Sequence, residues 1–235
     1  MSTLYLFPNL LSEGSINAVI PAQVIDKIKQ IKAFATENCK NTRRFLKSID
    51  KSIDIDSITF VELNEHSDYT AIAECAKVLK EQDMGVISEA GCPGIADPGA
   101  DLVAYAHKNG IKVVPFVGPS SILLALIASG SNGQCFAFNG YLPVKEPERG
   151  KALKNYEQIS RKENRTQIFI ETPYRNEKFF AELLERLSPA TMLTVACNIT
   201  APDEYIKTLS VQEWCKHEKP SLHKKPAIFL FLAKG

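Results

Sequence analysis

The stretch MGVISEAGCPGIADPGADLVAYAHKNGIKVVPF, residues 84–116, decides how this chain is read. Met84 to Ser88 reads as a strand, Asp101 to Lys108 as a helix and Lys112 to Phe116 as another strand. A strand that returns through a helix pairs parallel with its successor, because only a crossover can bring the chain back to the same edge. The loop Ser88–Gly99 then falls at the carboxyl edge of the sheet, where open α/β sheets take their ligands. Gly91, Gly94 and Gly99 let backbone approach a ligand closely. Pro93 and Pro98 stiffen the loop and reduce the entropy lost on binding. The competing reading is a long turn in which Asp97 caps the following helix.

The same alternation extends outward. Strands are expected at Thr3–Phe7, Ala33–Thr36 and Ile58–Glu62. Helices are expected around Val24, Ile25, Ile28 and Ile31, over 41–49, and around Ile72, Cys75, Ala76 and Leu79, where apolar residues recur at helical spacing. Beyond Gly118-Pro119 a helix is expected from Ser120 to Ala128, with strands at Cys135–Asn139 and Thr166–Glu171. Helices follow at 149–159 and around Phe179, Phe180, Leu183, Leu184 and Leu187. The last strands, Met192–Cys197, Tyr205–Leu209 and Ala227–Ala233, have little helix between them and imply a mixed sheet. The expected fold is α/β in two domains, 1–117 and 118–235, the first mostly parallel and the second mixed.

Composition bounds the function. The 235 residues are 45% hydrophobic and 23% charged with a net charge of +1, which is globular and not strongly basic. A local basic face on a neutral protein still suits RNA. The six cysteines are scattered without a CxxC pair, so neither a disulfide framework nor a metal site is expected. The N-terminus lacks a charged lead and a long apolar stretch, and no apolar run approaches the ~20 residues that span a bilayer. A cytoplasmic protein with no membrane partner is expected.

Three other segments carry candidate chemistry. Val117–Ser121 ends in Ser120 and Ser121 at a helix start, where free backbone N–H groups and hydroxyls suit a carboxylate or a ribose. Glu171 and Arg175 flank the turn after a strand, either as a structural pair or as substrate contacts. Glu37 sits at a strand end, and Lys40, Arg43, Arg44 and Lys47 follow it as a basic helix face. Solvation accounts for such a face, and a phosphate contact is the alternative. Neither a G-x-G-x-x-G pattern after the first strand nor a Walker lysine loop occurs, which argues against dinucleotide binding and nucleotide hydrolysis.

Taken in order, Glu89–Gly99, Val117–Ser121, Ala128–Gly130, Phe138–Pro143 and Glu171–Arg175 resemble the motifs of the tetrapyrrole methylase superfamily. They are most similar to its branch of ribosomal RNA 2′-O-ribose methyltransferases, and Thr3–Leu6 and Glu37…Thr42-Arg43 resemble that branch's N-terminal motifs. The resemblance implies two α/β domains with S-adenosylmethionine in the cleft between them, a homodimer, and methyl transfer to small-subunit ribosomal RNA. It places the cofactor on Cys92, Ile95, Ser120 and Ser121, and on Ile170, Ala196 and Ala227 of the second domain. The chain departs from the branch at Cys92, Glu89, Tyr174 and Asn38, and in the segment after the first strand.

A hydroxyl nucleophile attacking a sulfonium methyl must be held in line and relieved of its proton. Glu37, Glu89, Asp97 and Glu171 are the candidate bases or orienting groups, and Arg43 and Arg175 the candidate phosphate or carboxylate holders. Two rival functions stay open at this point. One is a tetrapyrrole (corrin or porphyrin) C-methyltransferase. The other is a cofactor- or RNA-binding protein without catalysis.

Overall fold

The structure is a computed structural model that describes residues 2–14, 16–63, 69–97 and 99–234; Pro98, expected to stiffen its loop, lies outside them. The chain forms two compact units, 1–120 and 121–235, and the expected division at 117/118 falls in the same connection.

The first unit is built on β1 (Thr3–Phe7), β2 (Ala33–Thr36), β3 (Thr59–Glu62), β4 (Met84–Ile87) and β5 (Lys112–Pro115). They lie in the order β3-β2-β4-β1-β5, all parallel. Helices α1 (Ile16–Val19), α2 (Ala22–Gln30), α3 (Cys39–Ile49), α4 (Tyr69–Glu81) and α5 (Gly99–Lys108) supply the crossovers. Period-2 alternation splits the strands between two cores. Leu4, Ala35, Met84 and Val86 meet Cys75 and Leu79 of α4 and Leu102 of α5. Phe7, Phe34 and Ile87 meet Val24 and Ile28 of α2 and Leu46 of α3 on the other face. Gly85 makes room for that second core, since a Cβ there would lie 2.6 Å from the Phe34 ring and 2.9 Å from Phe7.

The second unit contains α6 (Ser121–Ser129), β6 (Phe136–Phe138), α7 (Glu148–Glu163), β7 (Thr166–Ile170), α8 (Asn176–Arg186), β8 (Met192–Cys197), β9 (Tyr205–Ser210), α9 (Val211–Trp214) and β10 (Ala227–Leu232). Its sheet, ordered β6-β7-β10-β8-β9, is mixed: β6 and β7 pair parallel and the rest antiparallel. Phe169, Phe229 and Phe231 pack one face against Leu153 of α7, Phe179 and Leu183 of α8 and Trp214 of α9. The buried Trp214 indole donates to the Leu193 carbonyl at 2.8 Å, so its polar atom is satisfied. The short helices α1 and α9 are not legible as periodic segments, because four residues hold barely one helical turn.

Candidate functional site at the carboxyl edge of the first sheet

Strand order locates the site. From β1 the chain crosses toward β2, whereas from β4 it crosses β1 to reach β5. The neighbours β1 and β4 therefore send their connections in opposite directions, which is the topological switch point where a doubly wound sheet opens a crevice. The segments after both strands meet there. Asn9 and Gly91 exchange backbone hydrogen bonds, with N···O distances of 2.8 and 3.2 Å. The Asn9 side-chain amide also donates to the carbonyls of Ser88 and Glu89 at 2.9 and 3.2 Å.

The segment after β5 joins them. Gly118 lies so close to Pro8 that a Cβ would fall 2.1 Å from the ring. The half-buried Cys92 thiol donates to the Pro119 carbonyl at 3.4 Å, and burial pushes its pKa up, as for a structural thiol. Gly91 (φ 72°), Gly94 (φ 80°) and Ala96 (φ 58°) are all left-handed, so the loop turns repeatedly. Ala96 carries strain that an alanine adopts only when its surroundings impose it. Asp97 organises the loop, accepting from the N–H groups of Gly94 and Gly99 at 2.7 and 2.8 Å. Open space surrounds the position of a Gly94 Cβ, and Ile95 is 50% exposed.

The acidic candidates of this unit gather at the same edge. A Glu37 carboxylate oxygen accepts the Glu89 backbone N–H at 3.2 Å. Glu89 in turn accepts from the Asn41 amide at 2.5 Å. Glu37 and Asp97 line one small cavity of about 10 Å³. Asn38 caps α3 by accepting from the N–H groups of Lys40 and Asn41 at 3.0 and 3.1 Å. Buried Thr42 hydrogen-bonds Thr36 and ties α3 to β2. Arg43 turns away onto the Phe60 ring, 5.1 Å from its centroid.

The second unit holds candidates of its own. Glu171, buried at the end of β7, accepts from Arg175 at 2.7 and 3.0 Å and lies 3.3 Å from Arg149. Arg149 is braced by Glu182 at 2.6 Å and by the Pro143 carbonyl at 3.1 Å. Glu171 thus lies between two guanidinium groups, and that of Arg175 stays partly exposed. Ile170, Ile228 and Ala196 form one row across β7, β10 and β8, with Ala227 beside it, so the expected cofactor positions of this unit share one end of its sheet. Ser121 opens α6, and Ser120 directly precedes it. Among the described residues no three His, Cys, Asp or Glu side chains could hold a metal ion, and no helix is long and apolar enough to cross a membrane.

Sequence reasoning passed over Asn9, Asn41 and Arg149. Asn9 had a signal in its place just after the first parallel strand. Arg149 and Asn41 had none, because their partners lie 22 and 48 positions away.

A parallel sheet whose loops meet at a switch point, with left-handed glycine turns beside carboxylates and amides, defines a doubly wound α/β protein. The family model of the tetrapyrrole (corrin/porphyrin) methylases matches residues 8–214, and the chain belongs to that family; it is a methyltransferase. It is 29% identical over 210 residues to a ribosomal RNA small subunit methyltransferase I of Vibrio cholerae, covering 89% of this chain and 69% of the relative. To the protein of the same name in a Synechocystis species it is 30% identical, over 85% and 68% of the two chains. The solved methyltransferase CobJ shares the fold at a TM-score of 0.65 and 13% identity, covering 99% of this chain and 95% of that one.

Proposed function

We propose that the chain methylates a ribose 2′-hydroxyl of small-subunit ribosomal RNA, using S-adenosylmethionine. The observation that carries the chemistry is the meeting of Glu37, Asn41 and Glu89 beside the open loop at the switch point of the first sheet. The names of the relatives support the acceptor. Likeness to CobJ at 13% identity concerns the fold and does not favour a tetrapyrrole acceptor.

The loop's residues fit a sulfonium nucleoside. Open backbone at Gly94 and the exposed Ile95 side chain offer close, largely apolar contact, with Cys92, Ser120 and Ser121 in the adjoining segments. When bound, the cofactor supplies an electrophilic methyl whose bond to sulfur breaks as the acceptor oxygen bonds to carbon, leaving a neutral thioether. The chain's own task is to align the hydroxyl and take its proton. On this reading Glu89, hydrogen-bonded by the Asn41 amide, is the proton acceptor, while Glu37 holds the Glu89 backbone. Arg175, steadied by Glu171, presents a guanidinium suited to a phosphate. On this reading the enzyme works in the cytoplasm as a homodimer. The exposed Leu123 and Ile127, one turn apart on α6, suit a second copy, which light scattering of the purified protein checks.

The deciding experiment is mass spectrometry of ribosomal RNA nucleosides from cells with and without the protein. Loss of one 2′-O-methylnucleoside is expected, and an unchanged profile rejects the proposal. Bound cofactor without transfer to RNA would identify a binding protein instead. With the purified enzyme, Glu89→Gln is expected to lower turnover by about 10²-fold or more.

A further inference from the structure

A groove of about 930 Å³ in the first unit runs away from the Glu89–Asn41 pair, and most of its lining takes no part in the chemistry above. One wall is a stripe of α3, Asn41, Arg44, Phe45, Ser48 and Ile49, which recur at the spacing of one helical face. The other wall is the segment after β1 with Ile25 and Lys29 of α2. Glu89 closes the end nearest the sheet's carboxyl edge. From Asn41 to Ile49 the stripe runs about 12 Å at the helical rise of ~1.5 Å per residue.

The chemistry changes along that length. The floor is apolar, with Ile16 and Phe45 buried and Ile25 and Ile49 half-buried. Asn17 supplies an amide able to donate and accept in one plane, as the edge of a base requires, while Asn9 and Asn41 spend their N–H groups on Ser88 and Glu89 and shape the wall. Two cations line the groove, but Lys29 is paired with Asp50 at 3.1 Å. The Arg44 guanidinium has neither an ion-pair nor a hydrogen-bond partner among the described residues. One unengaged guanidinium matches one phosphodiester and falls short of the many carboxylates of a tetrapyrrole.

The geometry points to this groove as the subsite for a single-stranded nucleotide of the acceptor RNA. The ribose lies beside Glu89, the base lies over the apolar floor, and a neighbouring phosphate rests on Arg44 with Ser48 one turn beyond. This assignment rests on the RNA-methyltransferase reading. It makes Arg44 a binding residue and Ser48, whose hydroxyl donates to the Phe45 carbonyl at 2.6 Å, part of the wall, and it gives the enzyme a preference for unpaired RNA, since a base held in the duplex stack cannot reach the floor.

Binding of a fluorescent single-stranded RNA octamer to the full chain, titrated at several salt concentrations, tests it, with S-adenosylmethionine binding and methyl transfer to small ribosomal subunits measured alongside. Arg44→Ala is expected to weaken octamer binding about tenfold, the loss of one charge-assisted contact. It should also flatten the dependence of log affinity on log salt by about 0.7, with cofactor affinity unchanged. Ser48→Glu, which puts a carboxylate on the same stripe, is expected to weaken binding at least as much. Lys77→Ala on α4, which packs on the opposite face of the sheet, is expected to leave binding within twofold. If the wild type methylates RNA but Arg44→Ala and Ser48→Glu bind the octamer normally, the groove assignment alone fails. Equal weakening by Lys77→Ala would reduce it to general charge attraction and overturn it too. If the wild type transfers no methyl to RNA, the functional reading fails and this subsite with it.

Discussion

Gly85 and Asp50 represent two ways in which single residues carry this structure. Gly85 sits mid-strand, where a glycine ordinarily weakens pairing, yet the aromatic side chains of Phe34 and Phe7 occupy the space its side chain would fill. Gly85→Ala is therefore expected to cost about 1–3 kcal/mol by overpacking, read as a lower urea midpoint with cofactor absent. Asp50 is held at about 2 by hydrogen bonds from the Ser52 hydroxyl and backbone and then by Lys29. Its folded value lies below the ordinary 3.8, so its contribution to stability is present above pH 3.8 and disappears as pH falls toward about 2. Asp50→Asn is expected to lower the urea midpoint at pH 6 and to lower it progressively less as pH falls toward 2. A difference that does not shrink between pH 6 and pH 2 would assign the effect to something other than ionisation. The functional residues divide the same way: Glu37 and Asp97 were readable as strand-end and loop carboxylates, but nothing in the sequence paired Glu89 with Asn41.

At the scale of elements, α3 connects local folding to the site. Its first turn is fixed by Asn38, which satisfies two N–H groups that the helix leaves open. Its first and second turns carry Asn41 to Glu89 and Thr42 to Thr36. Asn38→Ala is expected to cost about 1 kcal/mol in thermal unfolding, and Asn38→Asp to retain most of it. Because the cap sets where Asn41 stands, Asn38→Ala is also expected to slow methyl transfer more than its small loss of stability explains. The departure from the branch's motif at Asn38 therefore leaves the helix start intact. The strands and α2 to α8 follow apolar periodicity and were legible to within a few residues. The brief α1 and α9 were not, since the Ser210–Glu213 capping box that starts α9 precedes only one turn.

Over the whole molecule, two cores of different construction stand in one chain. The first is two-layered around a parallel sheet and the second is dominated by phenylalanines and Trp214. Ligand binding to the folded state stabilises it by mass action, by about 2.7 kcal/mol at a hundredfold excess over Kd. S-adenosylmethionine at that excess is expected to raise the unfolding midpoint of the wild-type protein. An unchanged midpoint would reject the cofactor.

By itself the sequence determined the order of strands and helices, the change from parallel to mixed pairing and the loop at 88–99, because periodicity, glycine and proline act over a few neighbouring residues. The tertiary structure alone decided that β1 and β4 lie side by side, that Asn9 bridges to Gly91, and that Asn41 and Arg44 line a groove ending at Glu89. Those contacts join residues about 80 and 48 positions apart. Strand order sets them, and no local pattern encodes strand order, since several arrangements of the same strands satisfy the same periodicities.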